Sequence, residues 1–251
     1  MAEILLQENL FSAKENYLLS CTDTGKLREV MVLSAKKRQK RQINNMHLMD
    51  GMDLTYPNRF PELKAYNGPT DFVYLPYSEH LKMEGTGYAI HFFEDDYKFL
   101  NAIDKRVEQT VFALRNAEVI IAPDCSLYVD EDRYHFLNLQ SVYRSRFFGA
   151  YAQKCGFNVI PTATWGGLDS FEYCLEGLPT NSVIAVCGIG INWDKRATLL
   201  WEYALRELER RLSPTKILIC GNERPVPGLS TPVQFIPPYL STKLKARKEA
   251  V

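Results

Sequence analysis

Short apolar segments alternate with longer amphipathic segments along most of the chain after Asp71. Apolar runs with the length and composition of strands are FVYLPY (72–77), YAIHFF (88–93), VIIAPD (119–124), NVIPTAT (158–164), VIAVCGI (183–189) and KILICG (216–221). Strands that are covered on both faces have this nearly continuous apolar character. The pattern therefore predicts a mainly parallel α/β sheet of about six strands with helices packed outside it.

Apolar residues recur at three- and four-residue spacing between several of these runs. The spacing indicates helices at 95–116, 133–154 and 194–212, and a shorter helical segment at 169–177. Gly149 lies inside the second of these helices, where glycine is unfavourable, so we expect it to allow close packing on a strand.

Two architectures fit an alternation of strands and helices. A complete eight-stranded barrel normally takes about 250 residues, whereas the alternating region here spans only about 150. We therefore predict a compact or incomplete TIM-barrel-like arrangement, because the polar strand ends would suit a common mouth. An open doubly wound sheet is the alternative.

The two ends of the chain differ from this central part. Residues 1–45 contain a hairpin signal around the sequence TDTG, and five basic residues follow it: Lys36, Lys37, Arg38, Lys40 and Arg41. We expect an N-terminal extension over 1–45, an α/β domain over 46–224 and a Pro-rich, basic tail over 225–251. The basic cluster is typical of a solvated segment, and an arm that contacts nucleic acid is the alternative.

Composition and charge argue against several classes of protein. The 30 Lys and Arg residues balance 30 Asp and Glu residues, whereas a protein that coats DNA usually carries a basic excess. No apolar run approaches the roughly 18 residues of a membrane span. The six cysteines and four histidines show no ligand spacing. We therefore expect a cytoplasmic protein with reduced thiols, without a metal site, a cofactor or a membrane partner.

Polar residues gather where the predicted strands end, and α/β folds place ligand sites at those ends. Asp124 follows the third apolar run and is the leading catalytic candidate, as a general base or a nucleophile. Its alternative role is a turn residue whose carboxylate accepts backbone N–H groups. Ser126 would add a hydroxyl to the same site, although no G-x-S-x-G motif surrounds it.

The alternation of side chains along a strand predicts which face of the strand carries the Asp124 side chain. Ile120 and Ala122 share its side of the strand. In a barrel-like arrangement we expect Ala122 to lie inside and Asp124 to face the same cavity as Trp165 and the loop 188–192.

Several further residues are candidates for ligand binding. Gly188 and Gly190 precede a predicted helix, where a glycine turn either cradles an anion or only forms a tight turn. The dinucleotide fingerprint G-x-G-x-x-G is incomplete, because position 193 is Trp. The full set of ligand candidates is Trp165 as a stacking surface, Gly188, Gly190, Asn192, Gly221, Asn222 and Arg144.

Several segments together resemble a known family. These are GPTDFVYLPYSE, VIIAPDCSLY, YRSRFFGAYAQKCGFNVIPTATWG, DSFEYCLEGLPTNSVIAV and LSPTKILICG. They are similar to an uncharacterised domain-of-unknown-function family encoded by bacteriophages, plasmids and other bacterial mobile elements. The resemblance covers about residues 67–224. It implies the cytoplasm of a bacterial host cell and brings no established activity.

Two functions fit these observations. The first is an enzyme that binds a nucleotide, nucleobase or phosphorylated sugar, with glycosyl transfer or hydrolysis as the best match, because a strand-end carboxylate can stabilise a developing oxocarbenium ion. The second is a non-catalytic accessory protein that binds a host defence, host or replication component through its basic ends. Polar side chains that converge in a concave pocket would favour the enzyme.

Overall fold

The computed structural model describes residues 45–189, 191, 195–224, 226 and 228–239. The chain divides into two units, residues 1–50 and residues 51–251. In the first unit the described residues contain one short 3-10 helix, Met46–Leu48. The predicted hairpin, the basic cluster at 36–41, Gly190 and Asn192 lie outside the described residues. The sheet and its helices belong to the second unit.

The strands that the structure describes are all paired in parallel. They are β1 Val73–Pro76, β2 Tyr88–His91, β3 Val119–Ile121, β4 Val159–Ile160, β5 Thr162–Ala163, β6 Val183–Cys187, β7 Lys216–Cys220 and β8 Val233–Ile236. Hydrogen bonds join them into two four-stranded sheets, in the orders β1-β2-β3-β4 and β5-β6-β7-β8. The predicted parallel α/β class is confirmed.

Pro161 divides the predicted run 158–164 into β4 and β5. Proline has no N–H to donate into a ladder, so pairing is interrupted at this residue. Its carbonyl still accepts a hydrogen bond of 2.8 Å from the N–H of Ala185 in β6. The two sheets therefore meet at Pro161, and strand order follows chain order from β1 to β8. A doubly wound sheet would instead show a reversal of strand order.

The strand β8 was not predicted. Its residues fall in the segment that we expected to form a tail, and they pair with Ile217–Cys220 of β7. Only four residues separate Pro232 from Pro237, and this proline-rich context hides the strand in the sequence. The sheet therefore continues past residue 224, the expected end of the domain.

The helices lie where the apolar periodicity predicts them, except that one predicted helix is divided into two. They are α1 Leu100–Lys105, α2 Val107–Ala113, α3 Glu131–Lys154 and α4 Lys195–Leu212. The predicted helix 95–116 is interrupted at Arg106, whose φ of -139° and ψ of 33° are not helical. The segment predicted as a short helix at 169–177 begins as a 3-10 helix, Leu168–Glu172.

Buried strand residues form two clusters. One cluster packs Ile184 and Ile219 against α4, including Trp201 and Leu205. The other contains side chains from β2, β3, β4, β6, β7 and β8, with Tyr74 of β1 packed against it, and none of its described members lies in α1–α4. The second cluster is thus built from strands and their adjoining loops alone.

Ala122 faces α3 instead of the helix-free cluster. A Cβ built on Gly149 would lie 3.4 Å from the Cβ of Ala122 and 2.8 Å from Cδ2 of Leu63. The expectation that Gly149 allows close packing on the strand is confirmed. The expectation that Ala122 lies on the inner side is wrong, because Val119 and Ile121 occupy that side.

Candidate functional site

A cavity of about 210 Å³ lies at the carboxyl ends of β3, β5 and β6, beside the first turns of α4. Ala163 and Cys187 are the last residues of two of these strands, and Asp124 follows the third. From α4, the apolar side chains of Leu200 and Trp201 close the opposite wall. A single carboxyl group thus lies in a mostly apolar cavity.

The cavity brings together several residues that were expected to meet. Asp124 lines it with Trp165 and with Ile189 and Ile191, which belong to the loop 188–192. Residues that follow different strands thus meet at one edge of the sheet, as expected for a parallel sheet.

Neighbouring strands hold the Asp124 carboxyl in place. The hydroxyl of Thr164 donates a hydrogen bond of 2.5 Å to its Oδ1. The thiol of Cys187, at the end of β6, donates a second one. Thr164 directly follows β5 and Cys187 ends β6, so both partners lie on other parts of the sheet, whereas the turn alternative invokes amides of the local turn.

Burial changes the acidity of Asp124. Part of the residue remains accessible, yet protein atoms surround its carboxyl, and this burial raises its pKa from 3.8 to about 6. The nearby Asp96 carboxylate also raises the pKa, whereas the hydrogen bonds from Thr164 and Cys187 lower it. A carboxyl that titrates near pH 6 can exchange protons with a ligand at neutral pH.

A pair of threonines explains how the strand end is fixed. The N–H of Ala122 donates to the Ile160 carbonyl on the β4 side, whereas Pro123 comes next, on the β2 side, and has no N–H to donate. Thr162 and Thr164 lie two residues apart and therefore point to the same side. Their hydroxyls donate to the carbonyl of Ala122 and to the Asp124 carboxyl. Side chains from β5 and the residue after it thus hold the end of β3 beyond its backbone ladder.

The loop that follows Asp124 is held from both sides. Asn138 of α3 is fully buried; it accepts the N–H of Tyr128 at 2.7 Å and donates to the Tyr128 carbonyl at 2.9 Å. On the other side, a Cβ on Gly166 would collide with the carbonyl oxygen of Tyr128. A Cβ on Gly167 would lie 2.6 Å from the carbonyl oxygen of Val129. The two glycines therefore let the loop approach closely enough for Val129 to line the cavity.

Ser126 and Arg144 are not among the residues that line this cavity. The hydroxyl and N–H of Ser126 donate to the Asp96 carboxylate, at 3.1 and 3.2 Å. Arg144 forms two hydrogen bonds with Asp104, at 2.9 and 2.7 Å. The structure therefore separates Ser126 from Asp124, although the two are neighbours in sequence.

The glycines at the ends of β6 and β7 are packed against each other. The N–H of Gly188 donates to the Cys220 carbonyl at 2.8 Å, and its own carbonyl accepts from Arg224 at 2.7 Å. A Cβ on Gly221 would lie 3.0 Å from the carbonyl carbon of Gly188. Asn222 is exposed. These contacts give Gly188 and Gly221 a packing role, while the phosphate cradle stays a prediction.

Sequence reasoning missed Thr164, Cys187 and Trp201 as residues of the cavity. Cys187 and Trp201 looked like core residues, because cysteine and tryptophan are commonly buried. The available signal was position, since Thr164 ends its apolar run just as Asp124 does and Cys187 directly precedes Gly188.

The described part of the chain contains no cluster of three or more His, Cys, Asp or Glu side chains suited to a metal ion. No helix within it has the length and apolar character needed to cross a bilayer.

Comparisons with known proteins agree with the resemblance seen in the sequence. The family model of a domain of unknown function, DUF4417, matches residues 53–232. The chain is 36% identical over 185 residues to the Gene 1 protein of Mycobacterium phage L5, covering 70% of this chain and 79% of that protein. It is 32% identical over 189 residues to the Gene 1 protein of Mycobacterium phage D29, covering 75% of this chain and 66% of that protein. No solved structure matches the chain.

Proposed function

Because the chain belongs to the DUF4417 family, a domain of unknown function, we propose its function from the Asp124 cavity. The cavity binds the planar ring of a nucleobase or nucleoside, and Asp124 transfers a proton to or from it. The observation that carries this proposal is a carboxyl with a pKa of about 6 in an apolar cavity at the strand ends. Shifted pKa values in concave sites are typical of functional groups.

The size of the cavity limits the ligand. Pockets for drug-sized ligands usually measure about 300 to 1,000 Å³, and this cavity measures about 210 Å³. The proposed ligand therefore inserts one ring, and a sugar or phosphate attached to that ring lies outside.

The walls suit a flat apolar group. The Trp165 ring stacks on Phe171, with centroids 6.5 Å apart and an interplanar angle of 24°. Ile189 and Leu200 add apolar surface. Stacking on an aromatic side chain contributes about 1 to 3 kcal/mol per base, so Trp165 is the proposed stacking surface.

The proposed reaction is cleavage of the bond between a base and a sugar. Protonated Asp124 gives its proton to the leaving base, and water adds its hydroxyl to the sugar carbon. The remaining proton of that water returns to the Asp124 carboxylate. In glycosyl transfer an acceptor hydroxyl replaces the water.

We also propose that the sheet is rolled into a barrel-like arrangement with the cavity at its mouth. Three observations support it: strand order follows chain order, one strand cluster lacks helix residues, and β8 reaches the residues before β1. In the last contact Gln234 Nε2 donates to the Thr70 carbonyl at 2.9 Å, and the Thr70 hydroxyl donates to Gln234 Oε1 at 2.7 Å. Active sites of TIM barrels lie at the carboxyl ends of the strands.

A ligand screen tests the proposed function. Nucleobases, nucleosides and sugar phosphates are added to the protein during thermal unfolding, and hits are titrated calorimetrically. A ligand at 100 times its dissociation constant stabilises by about 2.7 kcal/mol. We expect Trp165→Ala to weaken binding about 5- to 150-fold, which corresponds to the loss of one stacked base.

Turnover is measured separately as release of free base. Asp124→Asn is expected to bind the ligand and to release no base, because an amide cannot donate a carboxylic proton. Ser126→Ala is the matched control and should keep wild-type turnover, since Ser126 bonds to Asp96. Binding without Asp124-dependent release would favour the accessory-protein alternative, and the absence of any binding would reject the proposal.

A further inference from the structure

Large apolar side chains are exposed around the mouth of the Asp124 cavity. We define this set as the apolar rim: Tyr128, Val129, Leu168, Ile189, Leu199 and Tyr203. The most exposed are Val129 at 70%, Leu199 at 66% and Leu168 at 62% of their maximal area.

Contacts connect the loop side of the rim with its helix side. Val129 and Ile189 both line the cavity. The carbonyl of Val129 lies against Gly167, the residue that precedes Leu168. Across the cavity, the Tyr203 ring meets Phe171 edge-on at 5.4 Å, and Phe171 stacks on Trp165, which lines the cavity wall. Tyr128 and Leu199 are the chain neighbours of Val129 and Leu200, which line the cavity, so all six rim residues lie beside the mouth.

A ring-sized ligand does not account for this surface. A single ring in a cavity of about 210 Å³ cannot cover Leu168, Leu199 and Tyr203 at the same time. Exposed apolar patches that are bordered by polar residues mark sites of interaction. A macromolecular partner is needed to bury the rim.

Opposite charges accompany the two sides of the rim. Exposed carboxylates lie on the loop side, at Asp130, Asp132 and Asp169, and there they outnumber the single exposed Arg133. On the helix side, exposed Lys195 and Arg196 begin α4, one turn before Leu199.

We propose that the apolar rim is a self-association surface whose occupant is a second copy of this chain. Across a two-fold axis the same patch meets itself, so the acidic side of one copy faces the basic side of the other. A phosphate-rich partner, such as a nucleic acid strand or an anionic lipid surface, would be repelled by the three loop-side carboxylates. The inference goes beyond the proposed function and does not depend on it.

Such a dimer would also affect access to the cavity. Because the rim surrounds the mouth, each copy would cover part of the other's opening. Water exclusion strengthens electrostatic interactions inside a site, so self-association would favour proton transfer by Asp124.

Sedimentation velocity and light scattering on the full chain, over a wide range of protein concentration, test this proposal. We expect a concentration-dependent dimer. Leu199→Glu, or Leu168→Glu if the first variant does not fold, should weaken dimerisation about tenfold or more, because a buried charge replaces an apolar contact. Phe112→Glu is the matched control: Phe112 is 67% exposed on α2, outside the rim, and the variant should dimerise like wild type.

Charge exchange provides an independent arm of the test. The double variants Asp130→Lys with Asp169→Lys, and Lys195→Glu with Arg196→Glu, should each dimerise poorly alone. An equimolar mixture of the two should recover association, since the charges around the rim are then net basic in one copy and net acidic in the other. A wild-type chain that stays monomeric throughout, or a mixture without recovery, would overturn the proposal.

Discussion

The carboxyl of Asp124 experiences opposing influences. Burial raises its pKa, and donors on Thr164 and Cys187 stabilise its charged form. Burial is the larger influence, so the ionised form is less favourable in the folded protein than in the unfolded chain. Removing the carboxyl should therefore change how stability depends on pH.

Asp124→Asn is expected to stabilise the protein above pH 6 and not at pH 4. The pKa is raised from 3.8 to about 6, so between these values the folded state binds more protons than the unfolded state. Wild-type stability consequently falls as pH rises through this window, by at most about 3 kcal/mol. Urea unfolding of both proteins from pH 4 to pH 8 measures the difference.

The exposed amide of Gln109 on α2 provides the control for this measurement. Gln109→Ala removes no titratable group, so its unfolding free energy should run parallel to that of wild type over the same pH range. Parallel curves for Asp124→Asn as well would contradict the raised pKa.

The sequence could locate Asp124 but not its partners. A carboxylate directly after an apolar run is visible, because strand ends share one edge of a parallel sheet. Ser126 was grouped with Asp124 on sequence proximity, whereas the chain beyond Pro123 leaves the ladder and carries Ser126 to Asp96. Cys187 and Trp201 could not be distinguished from core residues, since only the three-dimensional structure reveals a cavity beside them.

At the scale of elements, the loop 125–130 depends on α3 for its position. Asn138 supplies both a donor and an acceptor to the Tyr128 backbone, and it also donates to Glu131 at 2.7 Å. Glu131 in turn accepts from the Tyr173 hydroxyl at 2.6 Å. Helix α3 thus determines where Val129 meets the cavity.

Asn138→Ala should destabilise the protein by about 1 to 3 kcal/mol, because the Tyr128 backbone and the Glu131 carboxylate lose hydrogen bonds to a fully buried side chain. Ligand binding in the cavity should weaken as the loop loosens. Urea unfolding and calorimetric titration measure the two effects. In the control Asn158→Ala, an exposed residue loses one long hydrogen bond of 3.4 Å to Glu118, and stability should change by no more than about 0.5 kcal/mol. Equal effects of the two substitutions would contradict a clamping role for Asn138.

Most strands and helices could be predicted from apolar periodicity. The structure differs from the prediction at prolines and at one interruption of a helix. Each of the six apolar runs contains a strand, and α3 and α4 begin and end near their predicted limits. Pro161 split one run into β4 and β5, and the non-helical Arg106 separated α1 from α2. Such interruptions depend on local backbone geometry, which apolar spacing does not record.

At the scale of the whole molecule, β8 should be required for folding. A chain that ends at residue 232, where the family match ends, would lack β8 and expose the edge of β7. Ile217, Leu218 and Cys220 of that strand are fully buried. We expect this chain to lose cooperative unfolding, while a chain that ends at residue 239 unfolds like the full protein. Circular dichroism during thermal unfolding compares the three, and a stable chain of residues 1–232 would show that β8 is dispensable.

Closure of the sheet can be tested through Gln234. In a barrel-like arrangement β8 and β1 are neighbours, and the Gln234 side chain joins β8 to Thr70 just before β1. Gln234→Ala should therefore accelerate amide hydrogen exchange in both β1 and β8, because the two strands share one seam. In an open sheet these strands form opposite edges that open independently, so only β8 should respond.

The exposed Gln109 on α2 provides the matched control for this exchange measurement. Gln109→Ala should leave exchange in both strands unchanged, because Gln109 lies outside the seam. The loss of the Gln234 hydrogen bonds should also lower the free energy of unfolding by about 1 to 3 kcal/mol. Faster exchange confined to residues 233–236 would reject the barrel-like arrangement. Faster exchange in residues 73–76 as well would place the Asp124 cavity at the mouth of a closed sheet.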